Sequence, residues 1–351
     1  MKRVLLIAGT GLFLLLPADG ARAAGQGYRE FYRGLPSTQT KNWDKKLLRR
    51  KPASRIRPLA GPALDFNRAF NKRDGFKEQP APATAPAGVR QELVRLIREL
   101  PRPVRRFFNR HVIGIYTATG VGSSAMTGTV YDKKGKARFG FVIIDLDKMS
   151  RRANEWATYK ENTVFGPVKD YRLRVVLEEG AGNTRAAALR YLLIHEIGHL
   201  FHAVMELQPA YINLTWKTSQ LEKFAFNVPE IRRQRMLGED YYPLYEKISF
   251  YRAEPPFDLD DAPEVYEWIR ETTFPTLYGA VNLLEDFAET FATLIHCRYL
   301  KRPYRVILTT GGKDTLLISD PTSRPARAGK IAIIEKALRR LDPAFRGAVS
   351  H

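Results

Sequence analysis

The sequence predicts an α+β fold. Three observations carry that expectation. Strand-like apolar runs cluster between residues 112 and 177. A stretch over 184–206 has no proline and one glycine, Gly198, so it reads as a long, buried helix. Beyond it, helical patterns dominate to the C-terminus. This order suits an α+β domain with a mostly antiparallel sheet ahead of the long helix and a helical C-terminal part.

The elements follow in chain order. Residues 1–23 read as a signal peptide. Met1-Lys2-Arg3 is basic, Val4 to Pro17 is apolar and uncharged, and Ala21-Arg22-Ala23 offers the small residues of a cleavage site. The apolar run is shorter than the roughly 20 residues that span a bilayer, so no transmembrane anchor is expected in the mature chain. Residues 24–88 are a basic leader ending in a Pro/Ala linker, Gln79 to Gly88. The leader's aromatics (Tyr28, Phe31, Tyr32, Trp43, Phe66, Phe70) show no period. Its composition fits a disordered segment, a segment packed on the domain surface, or a pro-segment.

The domain itself is expected over 89–351. Val89, Leu93, Leu96, Ile97 and Leu100 have helical spacing, and Pro101 ends that helix. Val112 to Ala118, Thr127 to Tyr131, Phe139 to Leu146 and Tyr171 to Leu177 read as strands, with Asp132 to Lys136 as a hairpin turn. The run Phe139 to Ile144 fits either an edge strand that pairs with an extended peptide or a central core strand. An aromatic-rich insertion is expected at about 207–277, forming a subdomain core or walling a cleft.

Charge and cysteine content bound the function. There are 57 Lys and Arg against 37 Asp and Glu, a net charge of +20. Residues 1–23 carry Lys2, Arg3 and Arg22 against Asp19, so without them the charge is +18. A chain this basic should adsorb to anionic envelope or wall surfaces. No zinc-finger spacing, aromatic RNA-binding signature or basic heptad array is present, which argues against a specific nucleic-acid partner. Cys297 is the single cysteine, so no internal disulfide is expected.

The chemistry lies in residues 195–199, His-Glu-Ile-Gly-His. Positions i and i+4 share one helix face, so His195 and His199 can reach one zinc ion. Glu196 sits at the next position, where it can act as base toward a water activated by the metal. Two histidines and a glutamate in so apolar a helix are costly unless a metal or hydrogen bonds satisfy them. A third ligand is needed. His202 has no known ligand spacing, and His202 and Met205 exclude the metzincin pattern. Glu285 and Glu289 are again i and i+4, inside a run rich in Phe, Ala and Leu. In a gluzincin arrangement Glu285 would ligate and Glu289 would support a ligand histidine from behind, the swapped assignment being the alternative.

Tyr278-Gly279, Asn282, Glu285, Phe287-Ala288-Glu289 and Phe291 resemble the downstream motif of the anthrax lethal factor catalytic domain family. There a His-Glu-x-Gly-His helix precedes a Tyr-Gly, Asn, Glu-x-Phe-Ala-Glu-x-Phe run, with the same seven-residue offset from tyrosine to ligand glutamate. The resemblance implies a zincin-like metallopeptidase domain, Glu285 as third ligand and Tyr278 as a stabiliser of the oxyanion. It covers two short blocks, about 20 of 351 residues. The 90 residues between His195 and Glu285 depart from the family pattern. The function expected is an exported (periplasmic or secreted) zinc-dependent endopeptidase with one Zn2+ per chain and a protein or peptide substrate. Two alternatives remain: a non-catalytic, zinc-containing envelope-binding protein, and a zinc hydrolase acting on cell-wall peptides.

Overall fold

The computed structural model describes residues 27, 29–215, 217–237 and 247–345, with the backbone alone at 234–237. The expected signal peptide and Tyr28, Trp216, Tyr241, Tyr242 and Tyr245 lie outside the described residues. The chain is mixed α+β. The leader supplies β1 (Ile56–Pro58), α1 (Gly61–Asp74) and β2 (Ala81–Pro82). Helices α2 (Ala87–Glu99) and α3 (Arg102–His111) lead into β3 (Val112–Thr119), β4 (Ala125–Tyr131) and β5 (Ala137–Asp145). Then come α4 (Ala153–Asn162), β6 (Phe165–Gly166), β7 (Tyr171–Val176) and the motif helix α5 (Arg185–Val204). After α6 (Thr218–Leu221), α7 (Val228–Leu237), β8 (Phe257–Asp258) and α8 (Ala262–Glu271) comes α9 (Leu283–Thr293). The described chain ends with β9 (Arg305–Thr310), β10 (Lys313–Ser319) and α10 (Ala328–Leu341). No helix among the described residues is long and apolar enough to cross a membrane.

The main sheet is mixed, which corrects the expectation of a mostly antiparallel one. Its order is β1-β3-β5-β4, with β2 also on β3. The β1–β3 and β3–β5 pairs are parallel, while β4–β5 and β2–β3 are antiparallel. The hairpin over Asp132–Lys136 forms, but β3 docks on the far side of β5 rather than beside β4. The composition of β5 gives the reason. Val142 and Ile144 enter one core, and Phe139, Phe141 and Ile143 enter another, so both faces are apolar. Such a strand belongs in the centre of a sheet, flanked on both sides. Of the two roles open to Phe139–Ile144 it takes the central one, and β4 is the edge. The fourth expected strand, β7, leaves this sheet and forms the antiparallel set β10-β9-β7.

The two cores show what the leader does. One holds the inner face of the sheet against α2, α3, α5 and α9. The other is built by Tyr32, Trp43, Leu47, Leu59 and Phe66 of the leader against Phe139, Phe141, Ile143, Tyr116 and Val130. Trp43 lies 4.8 Å and Phe66 5.2 Å from the Phe141 ring. The buried Arg55 donates to the carbonyl of Val112 at 2.5 Å and to that of Asn109 at 3.3 Å, closing the C-terminus of α3. The Pro/Ala tract is therefore no boundary, since Ala81 and Pro82 pair with Thr119 and Ala118. Within the expected insertion, Phe226, Phe250, Tyr266 and Phe274 join the main core, while Leu214, Leu221 and Ile231 form a small cluster with Leu283 and Leu284.

Close helix packing sets up the site. Gly198 faces α9, and a Cβ there would lie 3.1 Å from the Cα of Ala288. Any larger residue would push α9, and with it Glu285 and Glu289, away from the histidines. The other side of α9 is anchored by a fully buried ion pair, Asp286 to Lys330 of α10, at 2.5 Å.

Candidate metal centre

Helix α5 is capped by Thr184, whose hydroxyl accepts from the Ala187 amide, and runs buried through its whole motif. Helix α9 is capped by Asn282, which accepts from the amides of Leu284 and Glu285. These two caps fix where the helices that carry the candidate ligands begin. The structure brings His195, His199 and Glu285 together, each offering one donor atom within 4.8 Å of the others. The two Nε2 atoms are 3.1 Å apart, and Glu285 Oε2 lies 3.2 Å from His195 Nε2 and 3.4 Å from His199 Nε2.

Those three separations test whether a metal fits. A tetrahedral ion with bonds of about 2.0–2.1 Å has ligand atoms about 3.3 Å apart. The triangle matches that edge on every side. In addition, the buried Glu285 Oε2 makes no well-aligned hydrogen bond. Three such atoms converging on one point suit a cation, which would bond to all three at once.

Glu289 stands behind His195. It is fully buried and its Oε1 accepts from His195 Nδ1 at 2.9 Å. Its Oε2 accepts from Thr276 Oγ1 at 2.7 Å and from the Tyr191 hydroxyl at 3.2 Å, and the Lys160 ammonium is 3.8 Å from Oε1. Burial alone would raise this carboxyl, but Lys160 and His195 outweigh it and hold the pKa at about 2. Burial alone would lower His195, yet Glu285 and Glu289 overcome it and lift the imidazole to about 10. Glu289 thereby directs the Nε2 lone pair of His195 toward the Glu285 side whenever Nδ1 keeps its proton.

Glu196 is held from the sheet. The Thr127 hydroxyl of β4 lies 2.6 Å from its Oε2, and also 3.0 Å from its main-chain carbonyl. Tyr278 lies in the short helix that precedes α9, its ring 5.8 Å from that of His195. The Lys160 ammonium sits 4.4 Å above the Tyr278 ring, and Phe250 meets that ring edge-on at 4.9 Å. His195, Glu196, His199, Tyr278 and Glu285 all line one cleft.

Two other histidines are placed elsewhere. His202 is fully buried outside the cluster, its ring 5.5 Å from Phe287 and 6.4 Å from His199. Burial and the neighbouring His199 drive its pKa down to about 3. His296 contacts the carbonyls of Leu177 and Pro303, both at 3.0 Å.

Sequence reasoning missed Lys160, Thr276 and Tyr191 around Glu289, and Thr127 on Glu196. Only Tyr191 had a legible signal, lying four residues before His195 on the same helix face. It also missed the leader's share of the cleft, which Tyr32, Phe66, Phe70 and Asp74 help to line. No protein-family model, curated protein or solved structure matches the chain.

Proposed function

We propose that this chain is an exported, zinc-dependent peptidase of the zincin type, with His195, His199 and Glu285 as metal ligands. The observation that carries the reading is the triangle of donor atoms, with a carboxylate, Glu196, beside it in the same cleft. A zinc ion there would polarise a carbonyl and bring the pKa of a water near 7. Glu196, oriented by Thr127, takes the proton of the attacking water and passes it to the leaving amine. Glu289 fixes the tautomer and orientation of His195. Tyr278 donates its phenolic hydrogen to the oxygen that becomes negative as the carbonyl is attacked. The basic start and small-residue cleavage site of residues 1–23 support export, and the net charge of +18 beyond them suits adsorption to an anionic envelope.

Metal analysis tests the ligand set. The full chain should hold one zinc, and His195→Ala, His199→Ala and Glu285→Ala should each lose stoichiometric metal. Glu289→Ala should keep the site but weaken its affinity by about 10–100-fold. Full zinc in Glu285→Ala together with an empty Glu289→Ala would reverse the two assignments.

Tyr278→Phe separates catalysis from structure. Lys160 and Phe250 contact the ring, so the phenylalanine ring should stay in place. Turnover should fall by about 10²–10³-fold, in kcat more than in KM, with zinc content and melting temperature nearly unchanged. Near-normal kcat with a lowered melting temperature would mean that the hydroxyl only supports the loop.

A further inference from the structure

The leader reaches the free edge of β4, and that contact bears on which peptides the cleft can take. In an antiparallel pair, successive residues turn their N–H and C=O alternately to the partner strand and away from it. The amide of Asp145 donates to the carbonyl of Ser124, so Met126 and Gly128 also face β5, while Ala125, Thr127 and Thr129 face the open edge. Of these, the Ala125 carbonyl accepts from the Ser123 hydroxyl at 2.6 Å. The Thr129 amide donates to the phenolic oxygen of Tyr32 at 2.9 Å. One step further, Gln39 of the leader bridges Tyr131. The pattern leaves Thr127 turned to the cleft, and Thr127 is also the residue that holds Glu196.

Tyr32 is no loose side chain. It is buried, stacks on Tyr211 at 5.3 Å with the rings 9° from parallel, and meets Phe66 and Tyr131 edge-on at 5.8 and 6.1 Å. Tyr32 and Tyr211 both line the cleft, and α1 adds Phe66 and Phe70 beside them. An extended peptide that pairs with Thr127 can therefore continue toward Thr129 for about two residues, roughly 7 Å, before it meets this wall.

We propose that the leader closes one end of the cleft, so that the chain cuts peptides within about two residues of a free end rather than at internal bonds. The proposal rests on the peptidase reading and narrows its substrate to chain ends. It also makes residues 29–82 part of the specificity apparatus. Whichever way the peptide runs along β4, the end wall is the same pair of tyrosines.

The test compares linear peptides of about ten residues with head-to-tail cyclic peptides of the same composition, on the zinc-loaded full chain, with products identified by mass spectrometry. Linear peptides should be cut near one end only, and cyclic peptides at least 100-fold more slowly. Tyr32→Ala should open the wall and raise the cyclic rate at least tenfold relative to the linear one. If that variant melts early, Tyr211→Ala, which trims the other half of the wall, should do the same. Tyr32→Phe removes the hydroxyl but keeps the ring, and should keep the preference for ends. Cyclic peptides or internal bonds cut within about threefold of the linear rate by the unaltered chain would overturn the proposal. Zinc-loaded chain that cuts nothing would instead count against the peptidase reading. The closed end is then read by calorimetry on zinc-loaded Glu196→Gln. At least tenfold tighter binding of linear than cyclic peptide supports it, and equal binding overturns it.

Discussion

Glu196→Gln is expected to keep its zinc and its fold while turnover falls by about 10²–10⁴-fold. The glutamine amide has nearly the shape of the carboxylate, and its oxygen can still accept from the Thr127 hydroxyl that now lies 2.6 Å from Glu196 Oε2. The three donor atoms of His195, His199 and Glu285 are untouched. What is lost is the ability to accept a proton, so the loss should sit in kcat. Metal content per chain, the thermal melt and kcat on a quenched peptide check this together. Undiminished kcat with full zinc would exclude Glu196 as the base.

A chain that begins at residue 89 is expected not to fold. The Pro/Ala tract reads as a linker in the sequence, and a reading from composition alone would place the cut there. The structure shows why such a cut should fail. It would strip much of the cover from the outer face of the sheet, where Phe139, Phe141 and Ile143 share a core with Tyr32, Trp43, Leu47, Leu59 and Phe66 of the leader. Each large apolar side chain contributes about 1.5–3 kcal/mol on burial, so these three alone represent on the order of 5–9 kcal/mol. Typical domains have a net stability of about 5–15 kcal/mol. The cut also removes Arg55 from the C-terminus of α3, β1 and β2 from β3, and Tyr32 from the Thr129 amide. Circular dichroism and a thermal melt check the result. A cooperative transition and stoichiometric zinc in the truncated chain would show that the leader is dispensable. A chain starting at residue 24 should melt cooperatively.

Much of the site was legible because it is written in short periods. His195 and His199, and Glu285 and Glu289, are each four apart, and a helix places such pairs on one face whatever surrounds it. The apolar residues around both motifs mark those faces as buried. The β9–β10 hairpin was legible too, since Gly311-Gly312 between two apolar runs is a strong turn signal. Reading the C-terminal part as helical overlooked it. The leader's role was not legible, because its aromatics are divided among the helical residues 29–34, a bend at Trp43 and α1 and so share no single period.

The sequence by itself determined the α+β class, the strands β3, β4, β5 and β7, the motif helix and the two pairs of site residues, since all of these follow from spacing within a few turns or one strand. Tertiary structure alone decided the order of the sheet, the partners of each carboxylate and the closure of the cleft. Thr127 meets Glu196 across 69 residues, and Tyr32 meets Thr129 across 97. At such separations the pairing depends on which surfaces remain uncovered after the local elements form. The alternation of β5 announces that two faces need cover, but only the folded chain shows that the leader supplies the second.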